Sequence, residues 1–264
     1  MSGQVLLAIE GGVARVTLSH PGKLNAMSRA MWGSLTEVFT GLQLRADIGC
    51  VVLCGEAGNF CAGGDISEYP GFRFEETSLR DFHENDVWGC LQAMLNCDIA
   101  VVAQIEGACM GAGIELACCC DMRLASVSAL FGAPIAKLGF PMAPREAELV
   151  WRVAGALTTR EMLLSGAVLD APTLLQRGFL NHVLQDHELA AQSSALAARV
   201  NRLAPEAARQ NKQSLRRLAQ VDCAKIAPDL IANAYAYANS AEHREGVSAF
   251  MEKRQPRFSG AADR

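Results

Sequence analysis

One stretch restricts this chain more than any other. Gly107 to Leu116, reading Gly-Ala-Cys-Met-Gly-Ala-Gly-Ile-Glu-Leu, follows the β-branched run Ala100 to Ile105 and leads into the apolar segment Ala117 to Cys120. It reads as a buried strand, a tight glycine-bearing turn and a buried helix. Small residues let a ligand approach the backbone closely. The first turn of such a helix carries free N–H groups and a partial positive end, which suit a developing oxyanion or a phosphate. A single acid, Glu115, falls inside this apolar surround. Burial disfavours the charged carboxylate, so its pKa is expected to rise toward the range useful for proton transfer. The plain alternative is a glycine-softened helix start with a hydrogen-bonded glutamate.

A second stretch points the same way. Asn59-Phe60-Cys61-Ala62-Gly63-Gly64-Asp65-Ile66 follows another buried-strand signal, Ile48 to Cys54, and again puts paired glycines beyond a strand end. Two such turns, each exposing backbone N–H groups, are what a two-donor oxyanion hole requires. Half of the 264 residues are hydrophobic and the net charge is only −4, enough for a substantial core. No basic run favours a nucleic acid or an anionic membrane as partner. The most apolar stretches are interrupted by Glu115, Asp121 and Arg123, so no membrane span is expected. Met1-Ser2-Gly3-Gln4 shows no secretory pattern, and a cytoplasmic location is the expectation.

These motifs resemble the crotonase superfamily, the enoyl-CoA hydratase/isomerase family. The resemblance is carried by Pro21-Gly22-Lys23-Leu24-Asn25-Ala26-Met27, Phe60 to Ile66, Gly107 to Ala117, Cys120-Asp121-Met122-Arg123, Phe131-Gly132-Ala133-Pro134, and Glu252-Lys253-Arg254 followed by Phe258. It implies an α/β crotonase fold, with repeated ββα units forming a spiral core over residues 1–204. Residues 205–264 would form a C-terminal helical oligomerisation region, giving a homotrimer or hexamer. The substrate would be an acyl-CoA thioester, with no further cofactor and no metal.

Residue by residue, the resemblance implies an oxyanion hole from the N–H groups of Gly64 and Ala112, with Glu115 transferring the proton. Ala112 stands where many members have glycine. Lys23, Leu24, Ala26, Ala62, Asp65, Ile66, Gly111, Ile135, Lys253 and Phe258 would contact CoA or the acyl chain. Family hydratases carry a second glutamate directly after the Pro134 position, where this chain has Ile135. Paired carboxylates let one take a proton from water while the other delivers one to carbon, so a substitute acid is sought in Glu146 or Glu148. Hydration of a 2-enoyl-CoA is the first expectation. Double-bond isomerisation and non-catalytic acyl-CoA binding are the alternatives.

Elsewhere, Val5–Glu10 and Val13–Leu18 read as strands joined by a Gly11-Gly12 hairpin, and 28–44 as a helix. Residues 66–78 read as an irregular wall of the acyl pocket, and 79–95 as a helix bearing His83, Glu84 and Asp86 on a solvated face. His20 reads as a solvated loop residue. The ten cysteines lack paired zinc spacing and read as small apolar core residues, with Cys109 the one open to a thiol reagent.

Overall fold

A computed structural model describes residues 2–220 and 235–256. Its centre is a six-stranded sheet ordered β1-β2-β3-β4-β6-β9, formed by Gln4–Glu10, Val13–Ser19, Cys50–Gly55, Ala100–Ile105, Met122–Ser126 and His182–Leu184. β1 and β2 pair antiparallel from Gln4↔Ser19 to Glu10↔Val13. Their turn is Gly11-Gly12, with φ 54° and 81°. Positive φ at both turn residues gives the twist that a two-residue hairpin needs. The remaining neighbours run parallel, and Cys50 to Cys54 are all buried, as expected of a strand covered on both faces.

A smaller sheet stands beside it, ordered β5-β7-β8, from Ala108–Met110, Leu130–Gly132 and Val168–Asp170. Each strand has three residues, too few for alternation to register in sequence. Between the sheets the chain repeats a ββα pattern. β4, β5 and helix Ala112–Cys118 form one unit; β6, β7 and helix Pro144–Ala154 form the next. In each unit the first strand joins the large sheet and the second joins the small one.

Helices in chain order are α1 Arg29–Gln43, α2 Glu76–Asp81, α3 Trp88–Asn96, α4 Ala112–Cys118, α5 Pro144–Ala154, α6 Ala156–Leu164, α7 Ala171–Gln176, α8 Leu189–Asn201 and α9 Pro205–Gln220, followed by Ala241–Met251. Ser28 caps α1 by accepting from the Met31 N–H, and Met31, Trp32, Leu35, Phe39 and Leu42 line its buried stripe.

Four expectations need correction. The wall 66–78 is not irregular throughout: Ile66–Gly71 is a 3₁₀ helix capped by Asp65, and α2 begins at Glu76. The expected helix 79–95 is broken by a π-helical turn at Phe82–Val87, which rotates the residues after it relative to those before it. His20 is buried, and its Nδ1 lies 2.7 Å from the Ala26 carbonyl. A donor at Nδ1 is what a carbonyl partner requires, so the ring pins the loop instead of meeting solvent. Cys109 is fully buried, and burial pushes its thiol well above the ordinary value, so it is closed to reagents. All nine cysteines among the described residues are buried and unbridged.

Candidate active site

The two glycine turns meet. The Cys61 N–H donates to the Ala108 carbonyl at 2.8 Å, and the Met110 N–H donates back to Cys61 at 2.8 Å. Gly113, in the first turn of α4, lies so close to Cys61 that a β-carbon would collide with the Cys61 carbonyl. Gly111 holds φ 49° and ψ −110°, a conformation open to glycine, and its N–H donates to Gly132 of the small sheet at 2.8 Å. This brings the strand-end turn of β3 against the start of α4.

Beside that junction is a cavity of about 290 Å³ lined by Ala62, Gly64, Ile66, Gly111, Ala112, Glu115 and Ile135, among others. Ala112 is the first residue of α4, so its N–H has no partner within the helix. Among the described residues, the Gly64 N–H donates to no carbonyl either. Both donors are therefore left unpaired beside the cavity, the pairing that an oxyanion hole would need. A methyl group at Gly64 would strike the Tyr69 hydroxyl, so the glycine also keeps that hydroxyl beside the hole.

Glu115 is the one carboxyl among the described residues that lines the cavity. Glu115 is half-buried, and its side chain forms part of the cavity lining. Burial first, and then the nearby Glu146 charge, push its carboxyl up to about 8. Ile135 adds an apolar surface at the same cavity.

Much of the remaining lining is side chain, and sequence reasoning missed most of it. Arg73 is 1% exposed, its guanidinium carbon 4.4 Å from the Tyr69 ring centre and 4.1 Å from that of Phe140. Its Nη2 donates to the Tyr237 hydroxyl at 3.1 Å, and its Nη1 lies 3.2 Å from His83 Nε2. Arginine has no acceptor, so Nε2 accepts and the imidazole proton sits on Nδ1. Nδ1 then donates to Glu146 Oε1 at 3.0 Å. Burial, then the Arg73 charge, hold His83 well below its ordinary pKa, keeping the ring neutral. Glu146 is 3% exposed at its side chain and is raised in the same direction as Glu115, chiefly by burial.

His83 thus belongs to the cavity wall and not to a solvated face, because the π-helical turn carries it inward. Glu84 and Asp86 are tied elsewhere, to Arg145 and Arg29 respectively. A polar, aromatic stretch after a glycine turn was the available signal for Tyr69 and Arg73; nothing local marked Phe140 or Tyr237.

The two substitute acids part company. Glu146 stands behind His83 without lining the cavity, whereas Glu148 lies in a different cleft and pairs with Arg152 at 3.4 Å. Glu148 is therefore withdrawn as a second acid. The residues expected at CoA also divide. Lys23 is spent on Asp65 at 2.6 Å and Ser67 at 2.7 Å, Leu24 is exposed with φ 46°, and Ala26 has both backbone groups bonded within the loop. That loop is laced to the oxyanion turn by Ala62 N–H to Leu24 at 3.0 Å and Met27 N–H to Gly63 at 2.8 Å. Lys253 follows the last described helix and does not line the cavity, and Phe258 lies outside the described residues. Among the described residues no group of His, Cys, Asp and Glu has the arrangement to hold a metal, and no helix is long and apolar enough to cross a membrane.

Parallel sheet, ββα repeats and paired turns over one buried acid define a crotonase-fold protein. The family model described as enoyl-CoA hydratase/isomerase matches residues 8–261, and the chain belongs to that family. It is 30% identical over 258 residues to a probable enoyl-CoA hydratase, echA8, of Mycobacterium tuberculosis, covering 97% of both chains. A short-chain-enoyl-CoA hydratase of Clostridium acetobutylicum is 28% identical over 253 residues, with 95% of each covered. Among solved structures, an enoyl-CoA hydratase/carnithine racemase of Magnetospirillum magneticum is 33% identical with TM-score 0.80, over 97% of this chain and 95% of that one. A methylmalonyl-CoA decarboxylase in complex with 2-nitronate-propionyl-CoA is 25% identical with TM-score 0.86, over 97% and 98%.

Proposed function

We propose that this protein hydrates a 2-enoyl-CoA to a 3-hydroxyacyl-CoA. The observation that carries the reading is one carboxyl, Glu115, with its pKa pushed upward by burial, lining the same cavity as two unpartnered backbone donors, Gly64 and Ala112. Relatives named enoyl-CoA hydratases support it. The thioester carbonyl accepts from both N–H groups, which stabilise the negative charge that grows on its oxygen. Glu115 gives its proton to C2 as the oxygen of water bonds to C3, and the proton of that water returns to the other Glu115 oxygen. The acid ends as it began, so its raised pKa is the state the step requires. CoA runs along the Lys23 to Ala26 loop that is laced to Ala62 and Gly63, with Asp65 fixing Lys23 and with Lys253 at its outer end. No resident cofactor is needed, since the CoA thioester is the substrate. Leu215 and Leu218 of α9 are exposed and fit a subunit contact in a trimer or hexamer.

A single lining acid also suits double-bond isomerisation, in which one carboxyl carries a proton between two carbons, and this is the second reading. Purified protein with crotonyl-CoA, followed at the enoyl thioester absorbance band, tests hydration. Absorbance falls with the native protein and holds with Glu115→Gln if hydration is right. Conversion of a 3-enoyl-CoA alone favours isomerisation, and binding without turnover of either favours an acyl-CoA-binding protein.

A further inference from the structure

Arg73 carries a charge that acts on Glu115 and Glu146 without a contact ion pair to either. It forms no ion pair among the described residues, its Nε is buried without a hydrogen-bond partner, and it lines the cavity that also holds the oxyanion hole. Two of its N–H groups are spent on neutral partners, His83 Nε2 and the Tyr237 hydroxyl, and both faces are covered by rings. Those contacts fix the plane of the guanidinium while leaving its Nε buried and unpaired beside the cavity. A buried N–H left unmade is costly, and an arginine edge matches a carboxylate better than any other common acyl substituent. Lys137, the cavity's other cation, is exposed and keeps its hydration, so it supplies little discrimination.

We propose that Arg73 anchors a carboxylate carried on the acyl group, so that the substrate class is the CoA thioester of a dicarboxylic acid. The proposal rests on the acyl-CoA reading above and deepens it. With the thioester carbonyl at Gly64 and Ala112, an acyl chain held in the same cavity shares its lining with Tyr69, Phe140 and Arg73. The rings then flank the chain, and the guanidinium meets an anion where a methyl-ended chain would leave Nε unpaired. The incoming carboxylate also balances the arginine charge inside an apolar enclosure, which penalises an unpaired ion.

The test is calorimetric binding to the full-length protein of malonyl-, succinyl-, glutaryl- and adipyl-CoA, each beside the methyl-ended acyl-CoA of equal chain length. The length series lets the protein choose the span. At least one acid-ended member is expected to bind tenfold or more tighter than its neutral twin, and Arg73→Met is expected to bring that ratio near one. Ratios below about twofold at every length would overturn the anchor, leaving Arg73 as a prop for His83 and Tyr237. So would a preference that survives in Arg73→Met. If that variant does not fold, the native series decides alone. A preference without turnover of any enoyl-CoA keeps the anchor and refutes hydration; neutral thioesters binding as well as acidic ones does the reverse; no binding of any thioester overturns both.

Discussion

The two walls of the cavity are made of different material. On one side stand backbone donors at Gly64 and Ala112, positioned by the ends of β3 and β5 and by tight glycine packing. The other is built from Arg73, His83, Phe140 and Tyr69, drawn from the 3₁₀ segment and the turn after it, the π-helical turn and the loop before α5. A backbone donor keeps its place under most substitutions, so that wall can serve any thioester carbonyl. A side-chain wall changes with single residues, so under the proposed function it would set which acyl group is accepted. Between them Glu115 belongs to the first wall by its position on α4 and to the second by the charges that tune it.

The largest expected effect tests the acid between the walls. Glu115→Gln removes the exchangeable proton but keeps the shape, and turnover is expected to fall roughly a hundred to ten thousandfold with CoA-ester binding retained. Steady-state turnover and calorimetry on one preparation check both halves. Ala112→Pro addresses the backbone wall alone. Proline is tolerated at the first position of a helix, so α4 should persist while one oxyanion donor disappears. A loss of about a hundred to a thousandfold in kcat/KM, with the thermal midpoint little changed, is the expected result. Normal turnover would remove Ala112 from the oxyanion hole.

The contrast also explains what could be read from sequence. Gly63-Gly64 and Gly111-Ala112 are visible because strand-to-helix turns with close approach leave glycine at fixed places, and because β3 and most of β4 are apolar runs. Glu115 was legible as a lone acid in such a run. Arg73 and His83 were not, because an arginine and a histidine near acidic residues look like solvent-facing positions until the fold stacks Phe140 on one and Glu146 beside the other. The π-helical turn was equally hidden: it depends on tertiary packing and shifts a helix face without a local marker. The three-residue strands β5, β7 and β8 take their form from their neighbours.

Charge on the tuned acid should be visible in stability. The unfolded glutamate loses its proton near 4.5, whereas in the folded chain it does so near 8. The folded state therefore holds the extra proton in between, so this contribution is complete below the unfolded value and is lost as pH rises through the folded one. Stability should fall across that window, by up to about 1.4 kcal/mol per pH unit for one such group. Thermal melts from pH 5 to 9 should show a shallower fall in Glu115→Gln than in the native protein. Equal slopes would mean that water reaches the carboxyl freely. A smaller effect belongs to the side-chain wall: His83→Phe leaves Arg73 Nη1 and Glu146 without their partner. At about 1–3 kcal/mol for a buried group left unmade, the midpoint should drop on the order of 5 °C.

The smallest effect separates two glutamates that sequence could not. Glu146 and Glu148 are two residues apart on α5, about 200° around the helix, so they face nearly opposite ways. The first meets His83 inside the protein; the second shares a partly exposed pair with Arg152 in the neighbouring cleft. Such a pair contributes at most about 0.5 kcal/mol, so Glu148→Gln should leave both midpoint and turnover within error of the native protein. Glu146→Gln should also melt near the native midpoint, since its amide oxygen still accepts from His83 Nδ1–H. Glu146→Ala, by contrast, removes that acceptor and should resemble His83→Phe. A loss of turnover in Glu148→Gln would mean that the neighbouring cleft, and not the wall behind His83, supplies the second acid.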